Sequence, residues 1–171
     1  MRWIVFVAGG IVGLAAVAVL IGMLLPRQHR ASRSVLLHQP PDAVWSAIRD
    51  FAGLPAWWTE MKHVERLRDS SGREVWRQQV GGFPMTLEIA EEQPTRRLVT
   101  RILAPDDAPF GGRWVYELAA DAGGTRLTIT EEGWIANPLF RLVGTVMGLD
   151  ATIKQYLRAL GRRFDEDVDP V

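Results

Sequence analysis

The stretch from residue 111 to residue 165, GGRWVYELAADAGGTRLTITEEGWIANPLFRLVGTVMGLDATIKQYLRALGRRFD, decides the fold. Its first half alternates. Trp114, Tyr116 and Leu118 share one face, Gly123-Gly124 turns the chain, and Leu127, Ile129 and Glu131 continue the alternation. That pattern predicts a β-hairpin with one buried face. The second half changes period. Asn137-Pro138 sets an N-cap before a proline at the first helical position. Val143, Val146, Ile153, Leu157, Leu160 and Phe164 then recur at three- and four-residue steps, with Arg141, Lys154, Arg158 and Arg162 largely on the other side. The spacing predicts one long amphipathic helix to about Asp165. Gly144 and Gly148 interrupt it, at ~1 kcal/mol each relative to Ala, and signify either close packing or a kink.

Working backwards, the remaining elements fall into order. Ser34 to His38 reads as a short strand. Pro40-Pro41-Asp42 opens a helix with Val44, Trp45, Ile48 and Phe51 on one face, broken by Gly53 and Pro55 and followed by a short helical turn around Ala56-Trp57-Trp58. Strands follow at Val64–Arg68, Glu74–Val80, Phe83–Ala90 and Leu98–Leu103, separated by Ser70-Ser71-Gly72, Gly81-Gly82 and Gln93-Pro94-Thr95. A Pro/Asp/Gly loop from Ala104 to Gly112 leads into the hairpin. The result is an α+β domain: strand, helix pair, six-stranded antiparallel meander, long C-terminal helix. The meander needs a cover on one face, and the last helix is the only long amphipathic element available. A curved sheet wrapped around a single helix leaves space between them.

Composition bounds the function classes. The chain has 171 residues, 47% hydrophobic, with 20 Lys+Arg against 20 Asp+Glu and no cysteine. The absence of cysteine excludes disulfides, thiolate metal sites and cysteine nucleophiles. Zero net charge argues against a general polyanion binder, and Arg96-Arg97 is too small a patch for nucleic acid. His29, His38 and His63 lack partners at metal-ligand spacing, so no metal site is expected. Asp106-Asp107 and Glu91-Glu92 read as solvated loop charges. Phosphate-binding, dinucleotide-binding and nucleophile-elbow motifs are absent, and no cofactor is implied.

Residues 3–25, WIVFVAGGIVGLAAVAVLIGMLL, carry no charged or polar-amide side chain. A helix of that length spans roughly 35 Å, enough for a hydrocarbon core of ~30 Å. Its Leu, Ile, Val and Phe residues favour insertion by roughly 4–8 kcal/mol. A signal-peptide apolar region is shorter, ~7–15 residues, and no A-x-A cleavage pattern follows. A single-pass membrane anchor is therefore expected over 1–30, counting its basic flank. Arg27, Arg30 and Arg33 follow it, against Arg2 alone before it, and the positive-inside rule favours the cytoplasmic side for the soluble domain, while a short apolar N-terminus with one leading Arg also resembles an uncleaved export signal. Gly9 and Gly13 have the spacing that lets two membrane helices approach, a route to weak self-association.

The stretch PPDAVWSAIRDFAGLPAWW (40–58), the hairpin 111–134 and NPLFRLVG (137–144) resemble, respectively, the opening helix with its Pro/Trp turn, the last hairpin and the gripping helix of the START-like helix-grip superfamily. The specific branch resembled is that of bacterial polyketide cyclases/dehydrases and lipid-transport proteins. The resemblance covers about residues 31–166 and leaves 167–171 as a tail. It does not cover the N-terminal segment. One fold hosts many functions, so the resemblance speaks to architecture more than activity.

What the resemblance implies is a hydrophobic cavity between sheet and helix, for a lipid, quinone, sterol-like or polycyclic aromatic ligand. By strand and helix parity its candidate lining is Trp76, Met85, Leu87, Ile89, Trp114, Tyr116, Leu118, Leu127 and Ile129 from the sheet, and Val143, Met147, Ile153 and Leu157 from the helix. Trp57 and Trp58 stand near the cavity mouth, with one ring expected inside and the other at the rim. Individually, these residues also suit a solid core. If Leu127 and Ile129 face inward, so does Glu131; if Val99 and Leu103 face inward, so does Arg101. An inward Arg101–Glu131 pair beside the Tyr116 hydroxyl would orient a ligand's polar end or move a proton. Two functions follow as expectations: a membrane-tethered binding module for a hydrophobic small molecule, or an enzyme of the cyclase, aromatase or dehydratase type using Arg101, Glu131 and Tyr116.

Overall fold

A computed structural model describes the backbone of residues 2–171 and the side chains of all of these except 2, 4–9, 11 and 12. Helix α1 (Arg2–Leu24) leads into strand β1 (Gln28–Leu37). Then come α2 (Pro41–Arg49), α3 (Leu54–Trp57), β2 (Met61–Arg66), β3 (Val75–Val80), β4 (Phe83–Gln93), β5 (Arg97–Ile102), β6 (Phe110–Asp121) and β7 (Gly124–Ile135). Helices α4 (Pro138–Met147) and α5 (Ala151–Arg163) close the chain.

The seven strands form one antiparallel sheet in the order β1-β7-β6-β5-β4-β3-β2. Five consecutive hairpins build the meander, and the first strand returns to pair with the last. The Gly81-Gly82 and Gly123-Gly124 turns fall where the sequence puts them; Gly81 and Gly123 take φ of 57° and 93°, which glycine adopts without strain. β1 is longer than expected. It starts at Gln28, so residues 28–30, read as the anchor's flank, belong to the sheet. The tail also does more than trail: Val171 exchanges two backbone hydrogen bonds with Ser34 (2.8 and 3.0 Å), covering part of the β1 edge.

The core lies between the concave face of the sheet and α5. Ile153, Tyr156, Leu157 and Leu160 on α5 meet Leu37, Leu98, Leu127 and Ile129 of the sheet, all essentially without solvent contact. The α2 face of Val44, Ala47 and Ile48 closes one end.

The expected single C-terminal helix is two helices. Asn137 caps α4, accepting hydrogen bonds from the backbone N–H groups of Leu139 and Phe140. Gly148, at φ 92°, then ends it. The break occurs because the backbone must leave the helical region there, which glycine permits. Gly144 stays helical and packs near Leu149 and Ile135. After the break α4 and α5 point their apolar faces in different directions, and only α5 is gripped.

The membrane-crossing expectation for residues 3–25 falls on α1. Its residues 4–9, 11 and 12, Gly9 of the expected Gly9/Gly13 contact among them, lie outside the described side chains. Among the described residues, no helix is long and apolar enough to cross a membrane.

Candidate functional site

A cavity of about 420 Å³ lies between the sheet and the two last helices. Its formation follows from the fold. The sheet curves around α5, while α4, on the N-terminal side of the Gly148 break, diverges from α5 and leaves a gap between them and the sheet. The walls are the inward faces of β3 to β7, with Ile48, Phe51 and Leu54 from the α2–α3 region, and Val143, Gly144 and Met147 from α4.

Of the expected lining, Trp58, Met85, Leu87, Trp114, Tyr116, Val143 and Met147 line this space. Ile89, Leu118, Leu127, Ile129, Ile153 and Leu157 are instead solid core, packed by their neighbours on all sides. Trp76 stacks on Phe51 at 5.6 Å, behind the wall. Of the tryptophan pair, Trp58 is buried and reaches the cavity, while Trp57 is half-buried and sits beside Arg163.

Arg101 and Glu131 do not meet. The inward residues of β5 are Leu98, Thr100 and Ile102, so Arg101 shares the outer face with Val99, where its guanidinium binds Glu88 (Nε–Oε1 3.0 Å). Arg73 reaches the same carboxylate oxygen at 2.8 Å. The anticipated cavity ion pair is thus an exterior cross-strand network. The parity of β5 is the opposite of the one that would turn Arg101 inward.

Glu131 does face the cavity, with other partners. Its Oε1 lies 3.1 Å from His29 Nε2, and its Oε2 accepts from Trp114 Nε1 at 3.0 Å. His29 reaches across from β1, where it pairs in register with Gly133. A side chain at 133 would strike the imidazole: a Cβ there would lie 2.8 Å from His29 Cε1. Gly133 also faces Gly112 across the β6–β7 ladder, and Gly112, at φ 149°, has no room for a Cβ beside the Glu132 carbonyl. Paired glycines therefore create the floor on which the imidazole lies.

Tyr116 neighbours this group. Burial, and secondarily the Glu131 charge, push its phenol well above the ordinary value, so it is a neutral hydroxyl and a hydrogen-bond donor rather than a base. Burial raises the Tyr156 phenol well above its ordinary value too. The Tyr156 ring sits among Trp57 (5.3 Å), Trp58 (5.0 Å), Trp114 (5.9 Å) and Tyr116 (6.0 Å), mostly edge-to-face. That geometry is favourable for aromatic pairs and gives the cavity a π-rich wall. Gln78, 5% exposed, also lines the cavity, and its Nε2 has no hydrogen-bond partner. A buried amide nitrogen left unpaired is costly and suits a ligand acceptor.

Sequence reading missed His29, Gln78 and Tyr156. His29 falls in the expected anchor flank, yet its alternation with Ala31, Val35 and Leu37 marks it as inward once the strand is extended to Gln28. Tyr156 lies three residues after Ile153 on the same helical face. Gln78 carried no signal beyond its parity with Trp76 and Val80. No group of His, Asp and Glu suited to a metal ion occurs among the described residues.

The arrangement offers an apolar chamber with the Glu131 carboxylate, the His29 imidazole, two neutral phenols (Tyr116 and Tyr156), the Arg113 guanidinium and the unpaired Gln78 amide in its lining. Comparison with known proteins places it in context. The sequence profile described as polyketide cyclase / dehydrase and lipid transport matches residues 28–165. No curated protein matches the chain in sequence. Among solved structures, a START superfamily protein from Mycobacterium smegmatis is similar with a TM-score of 0.63 at 19% identity, covering 80% of this chain and 97% of that one. The Zhui aromatase/cyclase from Streptomyces sp. R1128 has a TM-score of 0.62 at 20% identity, covering 80% and 96%. The di-domain aromatase/cyclase StfQ of the steffimycin biosynthetic pathway has a TM-score of 0.64 at 9% identity, covering 78% of this chain and 50% of that one. At these identities the likeness is one of fold.

Proposed function

The chain belongs to the polyketide cyclase / dehydrase and lipid transport family, and on that premise we propose that it is a membrane-tethered binding module for a hydrophobic small molecule. The observation that carries this reading is the cavity of about 420 Å³, walled by aromatic and aliphatic side chains. Such a space is within the range of small-molecule sites, ~300–1,000 Å³, and has the few convergent polar groups they use for orientation. Its polar groups suit a ligand that is mainly apolar with one or two oxygen functions: lipid, quinone, sterol-like or polycyclic aromatic. The test is uptake of 1-anilinonaphthalene-8-sulfonate and of a fluorescent quinone analogue by the detergent-extracted protein. Saturable binding with a stoichiometry near one is expected, and the absence of binding by any apolar probe would sink the reading.

The tether is supported by the sequence of residues 3–25 and by the exposure of Leu14, Val17, Leu20, Ile21, Met23 and Leu24 on α1, an apolar surface with no protein cover. Weak pairing of two copies through Gly9 and Gly13 belongs to the same reading. The positive-inside bias of Arg27, Arg30 and Arg33 supports a cytoplasmic side for the domain. Protease added to intact cells should then spare the domain and should digest it in inverted vesicles; the reverse pattern would overturn this orientation.

A second reading is favoured by one specific observation, the Glu131 carboxylate held inside an apolar chamber between His29 and Trp114. A carboxylate–imidazole pair facing bound ligand is equipped for proton transfer, as a cyclase, aromatase or dehydratase requires. Arg101, on the outer face, has no part in it. If the chain is such an enzyme, Glu131→Gln should lower kcat at least ~100-fold, within the range of general acid–base contributions, with KM little changed. Unchanged turnover would clear the residue.

A further inference from the structure

The cavity mouth is ringed by apolar side chains that the protein leaves uncovered. On α4, Val146 and Met147 are 78% and 73% exposed, and Leu139, Phe140 and Val143 are exposed as well. Phe83, from the β3–β4 turn, joins them, meeting Phe110 and Phe140 edge-on at 6.3 Å each. Phe83, Phe140, Val143 and Met147 all line the cavity, so the exposed band and the entrance are one surface.

This surface is fastened to α1. Only residues 25–27 separate α1 from β1. Gly22 lies against the Pro138 carbonyl so closely that no side chain would fit there. Arg141, the one charged residue of α4, turns away from the exposed band: its Nη1 donates to the Leu25 carbonyl at 2.7 Å and its Nη2 to the Ala136 carbonyl at 3.5 Å. A buried guanidinium there meets the negative end of the α1 dipole. The domain is therefore clamped to the helix rather than hung from a loose linker.

We infer that the outward face of α4, together with Phe83, seats in the surface of a lipid bilayer, so that the cavity opens into the membrane rather than into water. The inference rests on the membrane reading of α1. A helix that crosses the hydrocarbon ends at the headgroup boundary, and α4, packed on its last turn, lies at the same depth. A helix with its apolar face outward and its one charge turned inward is of the kind that beds ~5–10 Å into that boundary. The exposed side chains of α1 and α4 then form one continuous apolar surface with a single occupant, lipid. A ligand dissolved in the bilayer enters the cavity sideways, without passing through water.

The chain has no cysteine, so single substitutions can carry a nitroxide label. Leu14→Cys reports on α1, Val146→Cys on the α4 face, and Ala120→Cys on the exposed end of β6 beside the β6–β7 turn, at the far end of the strands. The full chain is reconstituted in phosphatidylcholine–phosphatidylglycerol vesicles, and each label's accessibility to oxygen and to a water-soluble nickel chelate is measured. The 14 and 146 labels should both favour oxygen, with a ratio at least ~5-fold above that of the 120 label, as expected for side chains bedded in the boundary. Met147→Cys repeats the measurement if Val146→Cys does not fold. A 146 label as nickel-accessible as the 120 label, with the 14 label in lipid, overturns the docking while leaving the anchor. An aqueous 14 label removes the anchor reading and the docking with it. Dipolar broadening at 146 means that a second copy covers the face, which also overturns the proposal.

Discussion

Leu87→Trp should abolish most ligand uptake, lowering affinity for an apolar probe about 30-fold, or ~2 kcal/mol. Leu87 stands on β4 facing the cavity, 6% exposed, with the empty space directly before it. An indole in place of its isobutyl group can extend only into that space, because the remaining sides are occupied by core. Overpacking a filled interior would instead cost ~1–3 kcal/mol of stability. The two outcomes are therefore separable. Lost binding with an unchanged melting temperature places the ligand in the cavity; a lowered melting temperature with binding retained means the chamber is filled and the ligand lies elsewhere. Met85→Trp, two residues nearer the mouth and half-buried, should give the same loss with less demand on the core.

Leu157→Ala should destabilise the domain by ~2–5 kcal/mol, the range for emptying a fully buried leucine site. Leu157 has no solvent exposure and lies on the α5 face that the sheet grips. The neighbouring Leu160, Ile153 and Leu127 are themselves fully buried, so they cannot swing in to close the void. Denaturant unfolding of the detergent-solubilised chain measures the change as a shift of midpoint at constant slope. A loss below ~1 kcal/mol would mean that the sheet and α5 do not form the central layer pair. By contrast, truncating Val146, on the uncovered face of α4, should leave the midpoint nearly unchanged.

Much of this architecture is readable in the chain because strand alternation and helical spacing are direct records of which face is buried. Trp114, Tyr116, Leu118, Leu127 and Ile129 alternate cleanly, and all point to the concave side. Parity fails where a strand's phase is ambiguous. In β5 the run Leu98, Val99, Thr100 offers apolar residues at adjacent positions, and only the sheet register shows that Leu98 and Thr100 go inward while Arg101 goes out. The helix break at Gly148 was equally open, since a glycine inside a periodic stretch marks close packing as readily as an end; Gly144 took the first role and Gly148 the second. Part of the site depends on contacts between distant segments. His29 and Glu131 are 102 positions apart, and their meeting depends on β1 pairing with β7, as well as on a glycine opposite that leaves the imidazole its room. Such a pair leaves no periodic trace.

The division of labour between α4 and α5 has an energetic consequence. Stability resides in α5, six of whose residues are buried, whereas α4 buries only Arg141. The end of α4 beyond its clamp at Arg141, Val143 to Met147, can therefore shift about Gly148 at little cost, while the layer that keeps the protein folded stays shut. A guest can come and go by way of a door whose movement does not disturb the frame.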